Sequence, residues 1–141
     1  MNEDIIRFLQ QQTCATICVV DENGSPYCFN CMYAFTSEFG LLYFKSSADT
    51  HHAGLLKASP LVAGTILPDK LNVLLPSGVQ FNGLVLSADD SLTEKASLLY
   101  HKKFPIAIAI PGEVWTIRIN RIKFTDSSKG FRKKINWSSD G

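Results

Sequence analysis

LLYFKSSADTHHAGLLKASPLVAGTI, residues 41 to 66, decides how this chain is read. Leu41 to Lys45 is a short apolar run of strand length, and Ser46 to Asp49 is a loop of small polar residues. Thr50 to Ala58 has the spacing of a short helix that stops before Pro60, and Leu61 to Leu67 is apolar again. A helix entered in this way can hold an anion, because its first amide protons lack acceptors within the helix and its dipole leaves partial positive charge there. Ser46, Ser47 and Thr50 add hydroxyl donors, and His51 and His52 add imidazoles that can become cationic. A phosphate-bearing ligand fits that chemistry. Ordinary capping explains the same residues without a ligand: Asp49 is a good N-cap, and adjacent histidines on a helix are commonly solvated.

Working outward, Asn2 can cap a helix over residues 2 to 12, with Ile5, Ile6, Phe8 and Leu9 on its apolar face. Thr13 to Val20 is a β-branched strand, and Asn23-Gly24 turns the chain into a second strand, Tyr27 to Phe35. Leu41 to Lys45 and Leu61 to Leu67 are the third and fourth strands. Val79 to Leu86 is the fifth, with Gly83 marking a bulge or close approach. Ser91-Leu92-Thr93-Glu94 reads as a capping box for a helix through about Lys103. In the final strand, Val114 to Phe124, apolar residues change face after Ile119, which places a bulge near Asn120 to Arg121. Six strands with short connections and peripheral helices predict a mainly β chain: one domain, residues 1 to 141, built as a small six-stranded antiparallel barrel. Residues 126 to 141 form a C-terminal extension, whose Phe131 and Trp137 call for a packing surface such as a partner subunit.

A chain of 141 residues can bury a core without staples. The net charge of +1 gives no electrostatic case for nucleic acid. The N-terminus is acidic and amphipathic, unlike a signal peptide, and no apolar run reaches membrane-spanning length, so a cytoplasmic location is expected. Cys28-x-x-Cys31 looks like half a zinc site, but alternation along a strand points the two thiols to opposite faces. The four cysteines are therefore expected as reduced, mostly buried thiols, with no metal.

The order strand, Ser-Ser, Thr-His-His-Ala, Leu-Leu, Ser-Pro-Leu-Val-Ala, strand resembles the FMN-binding split barrel of the pyridoxamine 5'-phosphate oxidase superfamily. The likeness runs from about Thr13 to Phe124, and the ending VWTIRINRIKFTD followed by KGFRKKINW resembles a small bacterial branch. The resemblance implies FMN at a homodimer interface, its phosphate clamped where the third strand meets the helix. Thr50 then matches the family's Ser/Thr, and His51-His52 match its usual Arg-Lys pair. Ser46, with Ser47 beside it, matches a hydroxyl position near the phosphate. Asn30, Cys31, Met32 and Tyr33 match the segment whose backbone runs beside the isoalloxazine ring. Gln80 lies two residues out of register with a family glutamine, which keeps it on the same face. Histidine titrates near neutrality, so the resemblance implies flavin binding that is weaker than with Arg and Lys and that tightens as pH falls through about 6.5. It also implies an oxidoreductase acting on a small substrate, with no catalytic residue named. The ending KGFRKKINWSSDG does not match that of authentic pyridoxamine 5'-phosphate oxidase, whose activity is not expected. A non-catalytic flavin- or haem-binding protein on the same fold is the alternative, since imidazole is a common axial ligand.

Overall fold

A computed structural model describes residues 1 to 140. Helix α1 (Glu3–Gln11) starts at Asn2, whose side-chain oxygen accepts from the amides of Asp4 at 2.7 Å and Ile5 at 3.4 Å. Strands β1 (Cys14–Val20), β2 (Pro26–Thr36) and β3 (Leu41–Ser46) lead into helix α2 (His51–Ala58). Strands β4 (Leu61–Ile66) and β5 (Gly78–Val85) follow, then helix α3 (Ala96–Lys103), β6 (Glu113–Asp126) and β7 (Lys133–Ser138). The sheet order is β3-β2-β1-β4-β5-β6-β7, and β3 also pairs with β6. That pairing closes the first six strands into an antiparallel barrel, as the turn spacing predicts, and β7 is added along β6.

Alternation along the strands sorts side chains between the interior and the outer face. Ala15, Ile17 and Val19 of β1 are buried inside the barrel with Tyr33, Phe44, Ile117 and Ile122. The bulge expected in β6 is present: Gly83 pairs with Ile119 and Asn82 with Arg121, which leaves Asn120 extra. The two ends of the barrel are closed by different helices. At one end, α1 sets Phe8 on Phe124 at 5.0 Å, and the Tyr33 hydroxyl donates to the Leu9 carbonyl at 2.6 Å. At the other end, α2 covers Phe29. Helix α3 lies outside, where Ala96 and Tyr100 are buried with Ala34, Leu41 and Tyr43. Lys103 fastens its end, with Nζ donating to the carbonyls of Gln12 at 2.6 Å and Tyr33 at 3.0 Å. Burial pushes the Lys103 pKa down. Among the described residues no helix is long and apolar enough to cross a membrane.

Four local expectations are corrected. Helix α2 is capped by Thr50, not Asp49, because Thr50 Oγ1 accepts from the Ala53 amide at 3.2 Å. The Ser91-to-Glu94 capping box does not form. Asp90, one residue earlier, accepts from the Leu92 amide at 2.9 Å and starts a 3-10 turn, so α3 begins only at Ala96. Cys14 and Cys28 are exposed, since the outer face of β1 and the first half of β2 has no helix over it. Cys18 faces Cys28 directly across the strands, and a hydrogen bond with that thiol together with burial raises its pKa. Burial pushes the Cys31 thiol up to about 12. The extension does not wait for another subunit: β7 pairs with β6, and Ile135 and Trp137 pack on this chain's own core, while Phe131 stays exposed.

Gly64 on β4 tests how tightly the barrel is filled. A Cβ there would lie 2.8 Å from the Thr16 carbonyl oxygen and only 2.3 Å from Cζ of Phe81, which is itself buried. Gly64→Ala should cost about 1–3 kcal/mol in urea unfolding. In α2, a Cβ added to Gly54 would meet nothing within 4 Å, so Gly54→Ala should stabilise by about 0.5–1 kcal/mol.

Candidate anion site at the start of helix α2

The end of β3 and the first turn of α2 bring five of the expected residues together. Ser46 Oγ lies 2.6 Å from His52 Nε2 and 3.4 Å from Thr50 Oγ1. The Thr50 hydroxyl donates to the Ser47 carbonyl at 3.0 Å while it caps Ala53, so it is engaged in both directions. The Ser47 hydroxyl donates to the Asp49 carboxylate, which puts negative charge at the edge of the site. His51 and His52 are the first two residues of the helix, whose opening-turn amides have no acceptor within it. The His52 ring stacks on Phe29 with centroids 3.8 Å apart and planes 10° apart. Burial and the neighbouring His51 push its pKa below the usual imidazole range. His51 is exposed and meets Tyr27 edge-on at 4.8 Å.

The other five lie elsewhere on the barrel. Cys31 and Tyr33 point inward: the Cys31 thiol is 3.8 Å from the Ala15 carbonyl and Tyr33 is fully buried. Asn30 and Met32 point outward, and Asn30 Oδ1 accepts from the Thr16 hydroxyl at 2.7 Å. Strand register lines up Asn30, Thr16, Thr65, Gln80 and Lys123 in one row across five strands. Gln80 is therefore three strand spacings, roughly 14 Å, from Asn30. It borders a shallow cavity of about 540 Å³ with Cys18, Cys28, Arg121 and Lys123. Arg121 and Lys123 were not singled out from sequence, although the change of face in β6 carried the signal. Lys45 was missed as well; its Nζ lies 3.0 Å from His101 Nε2 and donates to the Ala107 carbonyl at 2.7 Å.

The junction gathers the Ser46 hydroxyl, the first-turn amides and two imidazoles, donors of the kind an anion takes, with the Asp49 carboxylate at its edge as an opposing charge. Among the described residues no three His, Cys, Asp or Glu side chains gather to hold a metal. Because the folded state lowers the His52 pKa, it disfavours the imidazolium. That contribution to stability is complete above the unfolded imidazole pKa, about 6.5, and is lost as pH falls through the lower folded value. Urea midpoints measured from pH 7.5 downward should therefore drop more for the wild type than for His52→Gln; parallel profiles would show His52 to be uncoupled from folding.

No protein-family model matches the chain. It is 37% identical over 134 residues to the UPF0306 protein YhbP of Salmonella schwarzengrund, covering 95% of this chain and 90% of that one. It is 32% identical over 133 residues to a UPF0306 protein of Photorhabdus laumondii, covering 94% and 92%. Among solved structures, the barrel is similar to a haem binding protein from Mycobacterium smegmatis, with TM-score 0.77 and 15% identity, over 95% of this chain and 56% of that one. It is similar to a FAD-binding protein from Mesorhizobium loti, with TM-score 0.63 and 15% identity over 86% and 92%. The haem storage protein HutZ from Vibrio cholerae gives TM-score 0.64 and 13% identity over 96% and 92%. These structural likenesses establish a shared fold, and the sequence relatives establish the lineage: the chain belongs to the UPF0306 family.

Proposed function

We propose that this protein is a flavin-binding member of the pyridoxamine 5'-phosphate oxidase-like superfamily that holds FMN in a homodimer and serves an oxidoreductase reaction on a small substrate. The observation that carries the reading is the Ser46–His52 pair at the opening turn of α2. A phosphate there would take hydrogen bonds from Ser46, from the His51 and His52 amides and from the His51 ring. These donors fit a phosphate ester, and Asp49 together with the lowered His52 pKa makes the hold weaker than permanent cations would give. The outer edge of Asn30 to Tyr33 would lie beside the flavin ring. Bound flavin supplies hydride-accepting chemistry, while the chain supplies position and hydrogen bonds. A homodimer is supported by large apolar residues left in the open: Leu71, Val73 and Leu74 in one loop, Ile106 and Ile108 in the 3-10 turn after α3.

Haem is the second reading. The haem proteins among the structural neighbours share the barrel, and the exposed His51 imidazole is an available axial ligand.

The test is a fluorescence titration with FMN and with riboflavin, which lacks the phosphate. A bound phosphate favours the imidazolium, so FMN affinity rises as pH falls, over a window that ends below about 6.5 because the free His52 titrates low. Riboflavin affinity should stay flat. Replacing both His51 and His52 by Ala should weaken FMN about tenfold. An FMN affinity independent of pH would remove the histidines from the phosphate site. Failure to bind either flavin, with a Soret band on adding haem, would select the second reading.

A further inference from the structure

We infer that Cys18 and Cys28 form a redox-active dithiol site whose substrate is a small peptide disulfide bearing carboxylates. The site uses none of the residues at the α2 anion site, so it does not rest on the flavin reading.

Register brings the two thiols together. Cys18 and Cys28 are partners across β1 and β2. At the ends of that ladder the Tyr33 amide donates to the Thr13 carbonyl at 3.0 Å and the Asp21 amide to the Ser25 carbonyl at 2.9 Å. Partners in an antiparallel pair alternate between hydrogen-bonded and non-hydrogen-bonded positions. Counting inward from either end puts Cys18 and Cys28 at a non-hydrogen-bonded one. Cα atoms there stand about 4.5 Å apart with their side chains close, inside the ~4.4–6.8 Å that a disulfide spans. The two thiols are already hydrogen-bonded to each other. Neither of the other cysteines has such a partner: Cys14 faces Met32, and Cys31 faces Ala15 from inside the barrel.

The surroundings choose the substrate. Cys28 is exposed and Cys18 half-buried, so a reagent reaches Cys28 first. The shallow cavity of about 540 Å³ beside them extends to Arg121 and Lys123 and has no carboxylate in its wall. Among the described residues neither of these cations is in an ion pair. Cys28, Cys18, Ala63, Asn82 and Arg121 stand in one row. Arg121 is therefore three strand spacings, roughly 14 Å, from Cys18. An extended tripeptide arm of about 10 Å and the arginine side chain together cover that distance. Glutathione disulfide has this chemistry, a central S–S bond with carboxylates at the ends of peptide arms.

The exchange balances between the site and its substrate. The Cys28 thiolate attacks one substrate sulfur, forming a mixed disulfide as the substrate S–S bond breaks and one thiol leaves. Cys18 then loses its proton to solvent and attacks the Cys28 sulfur, which expels the second thiol and leaves the Cys18–Cys28 bond. Two protein thiols are oxidised, one substrate disulfide is reduced, and the two protons end on the two released thiols.

The test exposes the reduced full-length protein to glutathione disulfide at mildly alkaline pH, without flavin, followed by alkylation and peptide mapping at intervals. In the wild type Cys18 and Cys28 should become linked to each other, while Cys14 keeps any glutathione it acquires. Cys18→Ser should instead accumulate glutathione on Cys28. Arg121→Gln combined with Lys123→Gln should slow oxidation by glutathione disulfide about tenfold. Oxidation of that variant by cystamine, which carries amines in place of carboxylates, should be as fast as in the wild type or faster. Oxidation confined to Cys14, or a glutathione adduct that persists on Cys28 of the wild type, would overturn the dithiol. Equal slowing of both reagents, or of neither, would overturn the choice of substrate.

Discussion

The pairing of β3 with β6 is the constraint on which the rest of this structure depends. Six register pairs, from Leu41 opposite Arg118 to Ser46 opposite Glu113, turn an open sheet into a barrel. The same pairs decide what lies on each side of the wall. Inside, Phe44 stacks on Trp115 with centroids 6.1 Å apart and packs on Phe29 at 5.6 Å, and Phe29 carries the His52 ring. Outside, Tyr43 and Thr116 lie beneath α3. The candidate anion site and the packing of α3 thus use opposite faces of one strand pair. A register slip of one residue would exchange those faces and destroy both.

What the sequence made legible follows from how local each feature is. The strand-loop-helix-strand order of residues 41 to 66 was readable because apolar spacing and the proline stop sit within a single short segment, and helix α2 was placed within one residue. The six barrel strands were readable from alternation and from turns such as Asp21 to Ser25. There Asp21 Oδ1 accepts from the amides of Asn23 at 2.8 Å and Ser25 at 2.9 Å. Strand β7 was hidden because KKINWS has only Ile135 and Trp137 in alternation, and its partner lies before the loop. Alternation separated Cys28 from Cys31, but whether anything covers the outer face is a fact of tertiary structure.

The candidate site divides along the same line. Ser46, Thr50, His51 and His52 lie within seven consecutive residues, so their meeting needed no knowledge of topology. The polar row from Asn30 to Lys123 is assembled by register across five strands that the sequence does not order. Thr116 was invisible for a related reason: on a strand reading it is one outward threonine among several, and only the packing of α3 buries it. The barrel itself does not choose a ligand, since proteins with very different bound groups share it. In the proposed reading that choice rests on the few side chains where β3 ends and α2 begins.

His52 occupies a place where a permanent cation would be costly. Its ring closes one end of the barrel by lying flat on Phe29, and its Nε2 is bonded to Ser46. Both contacts suit a neutral imidazole, and the lowered pKa records the cost of charging it there. A lysine at this position would leave Phe29 uncovered or hold an ammonium in a partly desolvated place with no carboxylate bonded to it. Histidine avoids that conflict because its charge is conditional. Burial disfavours the charged ring in the free protein, and an anion held at the opening turn of α2, as proposed, would favour it. Packing at this end of the barrel and the charge state of its histidine are thereby tied to one proton on one ring.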